Sequence, residues 1–226
     1  MARHAELAEL PLPEFGIPSR EPTIPPETYL ARIEKLREKA RAKGLDAFVV
    51  YGDREHYASI AWFTGYDPRF EEALLVVDAK GDAKPLLVVG NEGKGYMPIS
   101  PIEKKLRVAL YQSFSLVSQP RGDSKPLKSI LRAGGVKRGG RVGVAGWKYY
   151  SSIEVEHPET TLEIPSYIAD TLRRMAGKDH VTNESAMLIH PPEGMRAVND
   201  VDQLASFEYV GTYTSQSLRN IRFNLT

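Results

Sequence analysis

The sequence has no cysteine. Disulfides, thiolate nucleophiles and cysteine-based metal sites are thereby excluded. It also lacks an excess of either charge: 30 basic residues meet 29 acidic ones, a net +1. That balance gives no field to attract nucleic acid or an anionic membrane, so neither is an expected partner. No run approaches the roughly 18 apolar residues that a spanning helix needs. The first 26 residues lack the basic start and unbroken apolar stretch of a signal peptide, and a soluble, cytoplasmic protein is expected.

The common catalytic motifs are missing too. The five histidines are His4, His56, His157, His180 and His190. No two stand at i, i+4 on a helix and none sits in an HExxH motif, so no metal site is expected in this chain. There is no GxSxG nucleophile elbow. The glycine-rich stretch 138–146, RGGRVGVAG, lacks GxGxxG and enters a strand where a phosphate loop would leave one, so it reads as a turn. Arg121-Gly122-Asp123 reads as a polar turn. Asn183-Glu184-Ser185 and Asn224-Leu225-Thr226 match the glycosylation pattern, which is empty without a signal peptide.

What is present is an ordinary globular composition, 42% hydrophobic and 26% charged. The 226 residues suit one generous domain, or one domain and a fragment of another. Residues 1–26 carry six prolines and read as an extended arm, with Leu7, Leu10, Leu12, Phe15 and Ile17 apolar enough to lie along a groove. Residues 27–44 read as a helix. Leu30, Ile33, Leu36 and Ala40 form its apolar stripe, Lys and Arg its solvated face, and Gly44 its C-terminal stop. Strands are expected at 46–52, 72–78, 86–90, 106–114 and 141–147, and helices at 54–65, 124–135 and 165–177. The 79–85 segment reads as a hairpin turn centred on Gly81-Asp82, and Ser124 as the cap of the 124–135 helix. In 106–114, Leu106, Val108 and Leu110 alternate with polar partners.

Helices interspersed with strands, one pair of them an antiparallel hairpin, imply an α/β fold: a three-layer α/β/α sandwich over a mixed sheet. Near the end, Asn199 reads as an N-cap opening a helix with Asp200 and Asp202 in its first turn. Residues 197–226 are expected to be a linker and the first helix of a second domain whose body is absent from this chain.

One loop stands out, within Trp62 to Asp78, WFTGYDPRFEEALLVVD. Arg69 offers a planar fork suited to carboxylates. Tyr66 and Phe70 offer aromatic walls. Glu71 and Glu72 suit an ammonium or guanidinium group, or a simple pairing with Arg69. A solvated loop before a strand is the plain alternative, although loops held by a rigid sheet often carry function.

Four phrases in order resemble the N-terminal domain of the creatinase/prolidase family, the pita-bread hydrolases that include Xaa-Pro aminopeptidases and dipeptidases. They are YLARIEKLREKARAKGLDAFVVYG (29–52), ASIAWFTGYDPRFEEALLVVD (58–78), RVGVAGWKYY (141–150) and MRAVNDVDQLASFE (195–208). The resemblance spans roughly residues 27–210. It implies a ribonuclease-H-like fold over 27–196 and no catalytic residue in this chain. Hydrolysis would belong to a C-terminal catalytic domain beyond Thr226, holding a divalent metal pair (Mn, Co or Zn) or, in creatinases, a His base. It further implies a homodimer and a small peptide or guanidino-type substrate. Tyr66, Arg69, Phe70 and Glu71 are the substrate-proximal loop, with the role carried over most directly to Arg69 and Phe70. A stand-alone small-anion-binding or structural interaction domain is the competing reading.

Overall fold

The computed structural model describes residues 8, 9, 11 and 16–224. His4 and the apolar arm residues Leu7, Leu10, Leu12 and Phe15 lie outside the described residues. Residues 25–198 form one compact unit; α7 (Val201–Asn224) and the described arm residues up to Ile24 form another.

The larger unit opens with α1 (Pro26–Ala42), whose missing first N–H makes proline cheap at this position. Tyr29, Ile33, Leu36 and Ala40 form its buried stripe. Gly44, at φ +72°, ends the helix by donating to the Arg41 carbonyl, while Leu45 donates to Ala40. The basic face is not wholly solvated as expected. Arg37 is buried, and its guanidinium donates to the carbonyls of Asp78 (2.7 Å), Gly81 and Ala83 (2.7 Å). The Gly81 and Ala83 carbonyls belong to the 79–85 turn and the Asp78 carbonyl immediately precedes it, so the arginine braces that turn. Arg32 likewise is buried, donates to the Trp62 carbonyl and lies over the Trp62 ring at 4.5 Å.

Six strands form one mixed sheet in the order β4-β3-β2-β1-β5-β6. They are β1 (Ala47–Gly52), β2 (Ala73–Asp78), β3 (Leu86–Val89), β4 (Arg107–Leu110), β5 (Val142–Ala145) and β6 (Val181–Asn183). Strands β1, β2 and β3 are antiparallel neighbours; β4, β5 and β6 join in parallel. Val49 stands between Val76 and Val144 across the centre. Side chains alternate between faces. On one face Val49, Val76, Val88 and Val144 meet Leu127, Ile130 and Leu131 of α4 (Leu127–Ala133) and Ile168 and Leu172 of α5 (Ser166–Ala176). The opposite face is covered by α1, α2 (Ala58–Thr64) and the short α6 (Ser185–Ile189). The three-layer α/β/α architecture over a mixed sheet is therefore present. Gly143 serves it locally: a Cβ there would crowd Leu45 at 2.7 Å and Phe48 at 3.0 Å.

Four further expectations need correction. The 106–114 strand is only four residues long and lies at the sheet edge, with Val108 41% exposed and Ala109 and Tyr111 packed on the core instead. Ser124 does not cap α4, which starts after Pro126; its hydroxyl accepts the Gln112 N–H. The cap of α7 is Asp200 rather than Asn199, its carboxylate accepting the Gln203 N–H at 2.9 Å. The expected helix at 54–65 starts late because Asp53 holds the Glu55 and His56 N–H groups in a tight turn. Among the described residues no helix is long and apolar enough to cross a membrane.

Candidate functional site

The loop after α2 is set by its ends. Gly65 closes α2 at φ +65°, where a side chain would collide with Pro101 and Tyr29. The Thr64 hydroxyl accepts the Tyr66 N–H, and the Tyr66 side chain then drops into the core at 1% exposure. Burial, then the nearby Glu71 charge, pushes the Tyr66 phenol well above its usual pKa. Tyr66 is thus an anchor beneath the loop rather than a wall facing solvent.

Glu71 is buried too, at 2% exposure. Its carboxylate accepts the backbone N–H groups of Glu92 (3.1 Å) and Gly93 (2.8 Å), at the start of α3 (Asn91–Tyr96). Gly90 and Gly93 leave room for it: a Cβ at either would run into the Glu71 carboxylate or the Tyr66 hydroxyl. Glu71 therefore bolts the loop to α3.

Between these two anchors the chain makes a β-turn, with the Glu71 N–H donating to the Pro68 carbonyl at 3.1 Å. Arg69 occupies its first central position at φ +60°, the one non-glycine residue with positive φ among the described residues. Asp67 accepts the Arg69 N–H at 2.8 Å and helps hold this conformation. Left-handed backbone is costly for a long side chain and persists only where surroundings impose it. The consequence is outward presentation. Arg69 and Phe70 are exposed, Phe70 by 55%. The Arg69 guanidinium lies over the Phe70 ring at 5.9 Å and the Tyr96 ring at 5.5 Å. Tyr96 is the member that sequence reasoning missed, because nothing in NEGKGYMPIS marks its position beneath Arg69.

Glu72 separates from the other loop residues. Its Oε2 accepts the Tyr167 hydroxyl at 2.7 Å, and burial raises its pKa above the ordinary 4.5, with Asp53 adding to the effect. The loop thus sorts into anchors (Tyr66, Glu71), a presented pair (Arg69, Phe70) and a carboxyl turned toward α5 (Glu72). Among the described residues no three His, Asp or Glu side chains gather closely enough to hold a metal ion.

Residues 32–174 match the family model described as the creatinase/prolidase N-terminal domain. Two solved structures share the fold. Dipeptidase PepE from Mycobacterium ulcerans superposes with a TM-score of 0.55 at 12% identity, over 86% of this chain and 43% of that one. The prolidase from Pyrococcus horikoshii OT3 superposes with a TM-score of 0.55 at 10% identity, over 87% of this chain and 43% of that one. The chain spans less than half the length of either. No curated protein matches it. Since the family model takes in more than half of the residues and the mixed α/β sheet agrees with both superpositions, this chain belongs to the creatinase/prolidase N-terminal domain family.

Proposed function

We propose that the chain is a non-catalytic domain that shapes the substrate site of a creatinase/prolidase-type hydrolase, of the Xaa-Pro peptidase kind. In this reading it acts in the cytoplasm beside its own C-terminal catalytic domain, within a homodimer, and its contribution is the 66–72 loop. One observation carries the reading: Arg69 is forced into left-handed backbone on a doubly anchored turn, with its guanidinium steadied between Phe70 and Tyr96 and exposed. A strained residue on a rigid loop is a hallmark of a contact surface. The planar fork suits a carboxylate, such as the C-terminus of a small peptide, and Phe70 offers an apolar neighbour for a side chain or a proline ring. Leu116 and Val117, both exposed, follow the Phe114 carbonyl that accepts the Glu72 N–H, and extend the apolar surface beside the loop.

The test is Arg69→Ala and Arg69→Lys in a hydrolase carrying this domain with its catalytic domain. Loss of a bidentate, stacked contact lowers kcat/KM about tenfold, and lysine does not restore it, because it keeps the charge and loses the fork. An unchanged kcat/KM in both variants overturns the reading.

A further inference from the structure

The sheet ends in two unlike edges. At the β6 edge the outward Asn183 N–H is taken by the Glu159 carbonyl at 2.8 Å. At the other edge stands β4, with β3 its only strand neighbour. The Arg107 N–H donates to the Pro85 carbonyl and the Tyr111 N–H to the Val89 carbonyl, so Arg107, Ala109 and Tyr111 turn their peptide groups toward β3. Directions alternate along a strand, and Val108 and Leu110 therefore aim N–H and C=O away from the sheet. Neither has a partner for those groups among the described residues. The backbone stays extended just outside β4 as well, at Leu106 (φ −100°, ψ 154°) and Tyr111 (φ −131°, ψ 95°). No proline and no break in register interrupts this edge. Proteins usually blunt such an edge, and an open one accepts an added strand.

The edge is basic at its start. Lys84 Nζ donates to the Lys104 carbonyl at 3.0 Å, and Arg107 Nε donates to the Lys84 carbonyl at 3.0 Å. Those bonds knit Lys84, Lys104, Lys105 and Arg107 into one cluster. Asp82 and Glu103 stand near them in the chain, yet none of the four cations pairs with a carboxylate among the described residues. The Nε bond fixes the Arg107 guanidinium and leaves its two Nη groups for a carboxylate, the geometry that a planar fork favours. Further along, Val108, 41% exposed, and the half-buried Leu110 give one face of the edge an apolar lining. The end of the edge, Tyr111 and Gln112, carries no charge.

This polarity fixes the direction of an added strand. Laid antiparallel, its C-terminal end lies beside Arg107 and Lys105; laid parallel, its N-terminal end does. Only the first places negative charge against the cluster. A second copy of β4, paired about a two-fold axis, would set each basic end against a neutral Tyr111–Gln112 end and leave the cations uncompensated.

We propose that the β4 edge binds an extended peptide ending in an acidic residue, by antiparallel strand addition. The last residue and its carboxylate lie against Arg107 and Lys105. The penultimate residue exchanges both backbone hydrogen bonds with Val108, and the residue two before it does so with Leu110. Both of these are apolar and cover the side chains opposite them. The residue between them faces Ala109 and turns its N–H to solvent. The surface uses neither Arg69 nor Phe70 and stands apart from the function proposed above.

The probe is N-terminally fluorescein-labelled Gly-Ser-Ile-Thr-Val-Glu with a free C-terminus, titrated with the 226-residue chain and read by polarisation. Saturable binding is expected. Ending the peptide in Gln amide weakens it at least about tenfold, and so does Arg107→Gln in the protein, the scale of a lost hydrogen bond to a charged group. Methylating the peptide nitrogens separates strand addition from plain attraction of charge. N-methylation at Val, whose N–H faces the Val108 carbonyl, abolishes binding; N-methylation at Thr, whose N–H faces solvent, leaves it. Hydrogen exchange of the Val108 and Leu110 amides slows when peptide is added. Arg69→Ala leaves binding intact. No saturable binding or an equal effect of the two methylations overturns the proposal. So does protection of Val108 and Leu110 that grows with protein concentration in the absence of peptide, the mark of a second copy.

Discussion

Glu71 Oε2 accepts the backbone N–H of Gly93 at 2.8 Å, and this bond ties the loop before β2 to the helix after β3. It settles two local questions together. The loop gains a fixed end, and a six-residue helix containing two glycines gains an acceptor for its unsatisfied N–H groups. Glu71→Gln keeps the shape and replaces one acceptor oxygen by a donor facing an N–H. The expected loss is roughly 2 kcal/mol of unfolding free energy, the scale of a buried hydrogen bond to a charged group, read as a lower urea midpoint at unchanged slope. An unchanged midpoint shows that the loop is held otherwise.

Arg69 stores backbone strain that substitution can release. Glycine takes φ near +60° without cost, whereas alanine retains the Cβ that makes this region unfavourable. Arg69→Gly is expected to be more stable than Arg69→Ala by about 1 kcal/mol, despite the greater freedom glycine has in the unfolded chain. Thermal unfolding of the two variants side by side measures the difference. Equal melting temperatures show that the turn relaxes once the arginine is removed.

Glu72 gives stability a pH dependence of definite sign. Its folded pKa is raised, so the folded state holds the proton more tightly than the unfolded chain does. The stabilising contribution is complete below the ordinary 4.5 and is lost as pH rises through the raised folded value. Glu72→Gln keeps an acceptor for the Tyr167 hydroxyl and removes the titration. The variant therefore gains on the wild type as pH rises from 4.5 toward neutrality, measured as a widening difference in melting temperature. A constant difference across that range removes Glu72 from the list of coupled groups.

Much of the fold could be read in the sequence because its central strands are unbroken apolar runs. Phe48, Val49 and Val50, and Leu74 to Val77, are buried on both faces, which is what a sheet covered on two sides demands. What escaped was either short or held from outside. β6 and α6 have three and five residues, too few to show a period. α3 carries Gly93 and Gly95 and owes its start to Glu71, some twenty residues earlier in the chain. Arg32 and Arg37 looked like solvated helix positions, and their acceptors are carbonyls of Trp62, Asp78, Gly81 and Ala83. The loop itself was visible as a cluster of polar and aromatic residues, but its division of labour was not. Adjacent glutamates carry the same side chain; one is turned to α3 and the other to Tyr167, and only the packed elements distinguish them.

The central claim is that this chain shapes a site and does not itself hydrolyse. Steady-state hydrolysis of an Xaa-Pro dipeptide by the 226-residue chain, with Mn²⁺ or Co²⁺ supplied, tests it most directly. The expected result is a rate no greater than that of the metal alone. Turnover that saturates with substrate and vanishes on chelation would contradict the account.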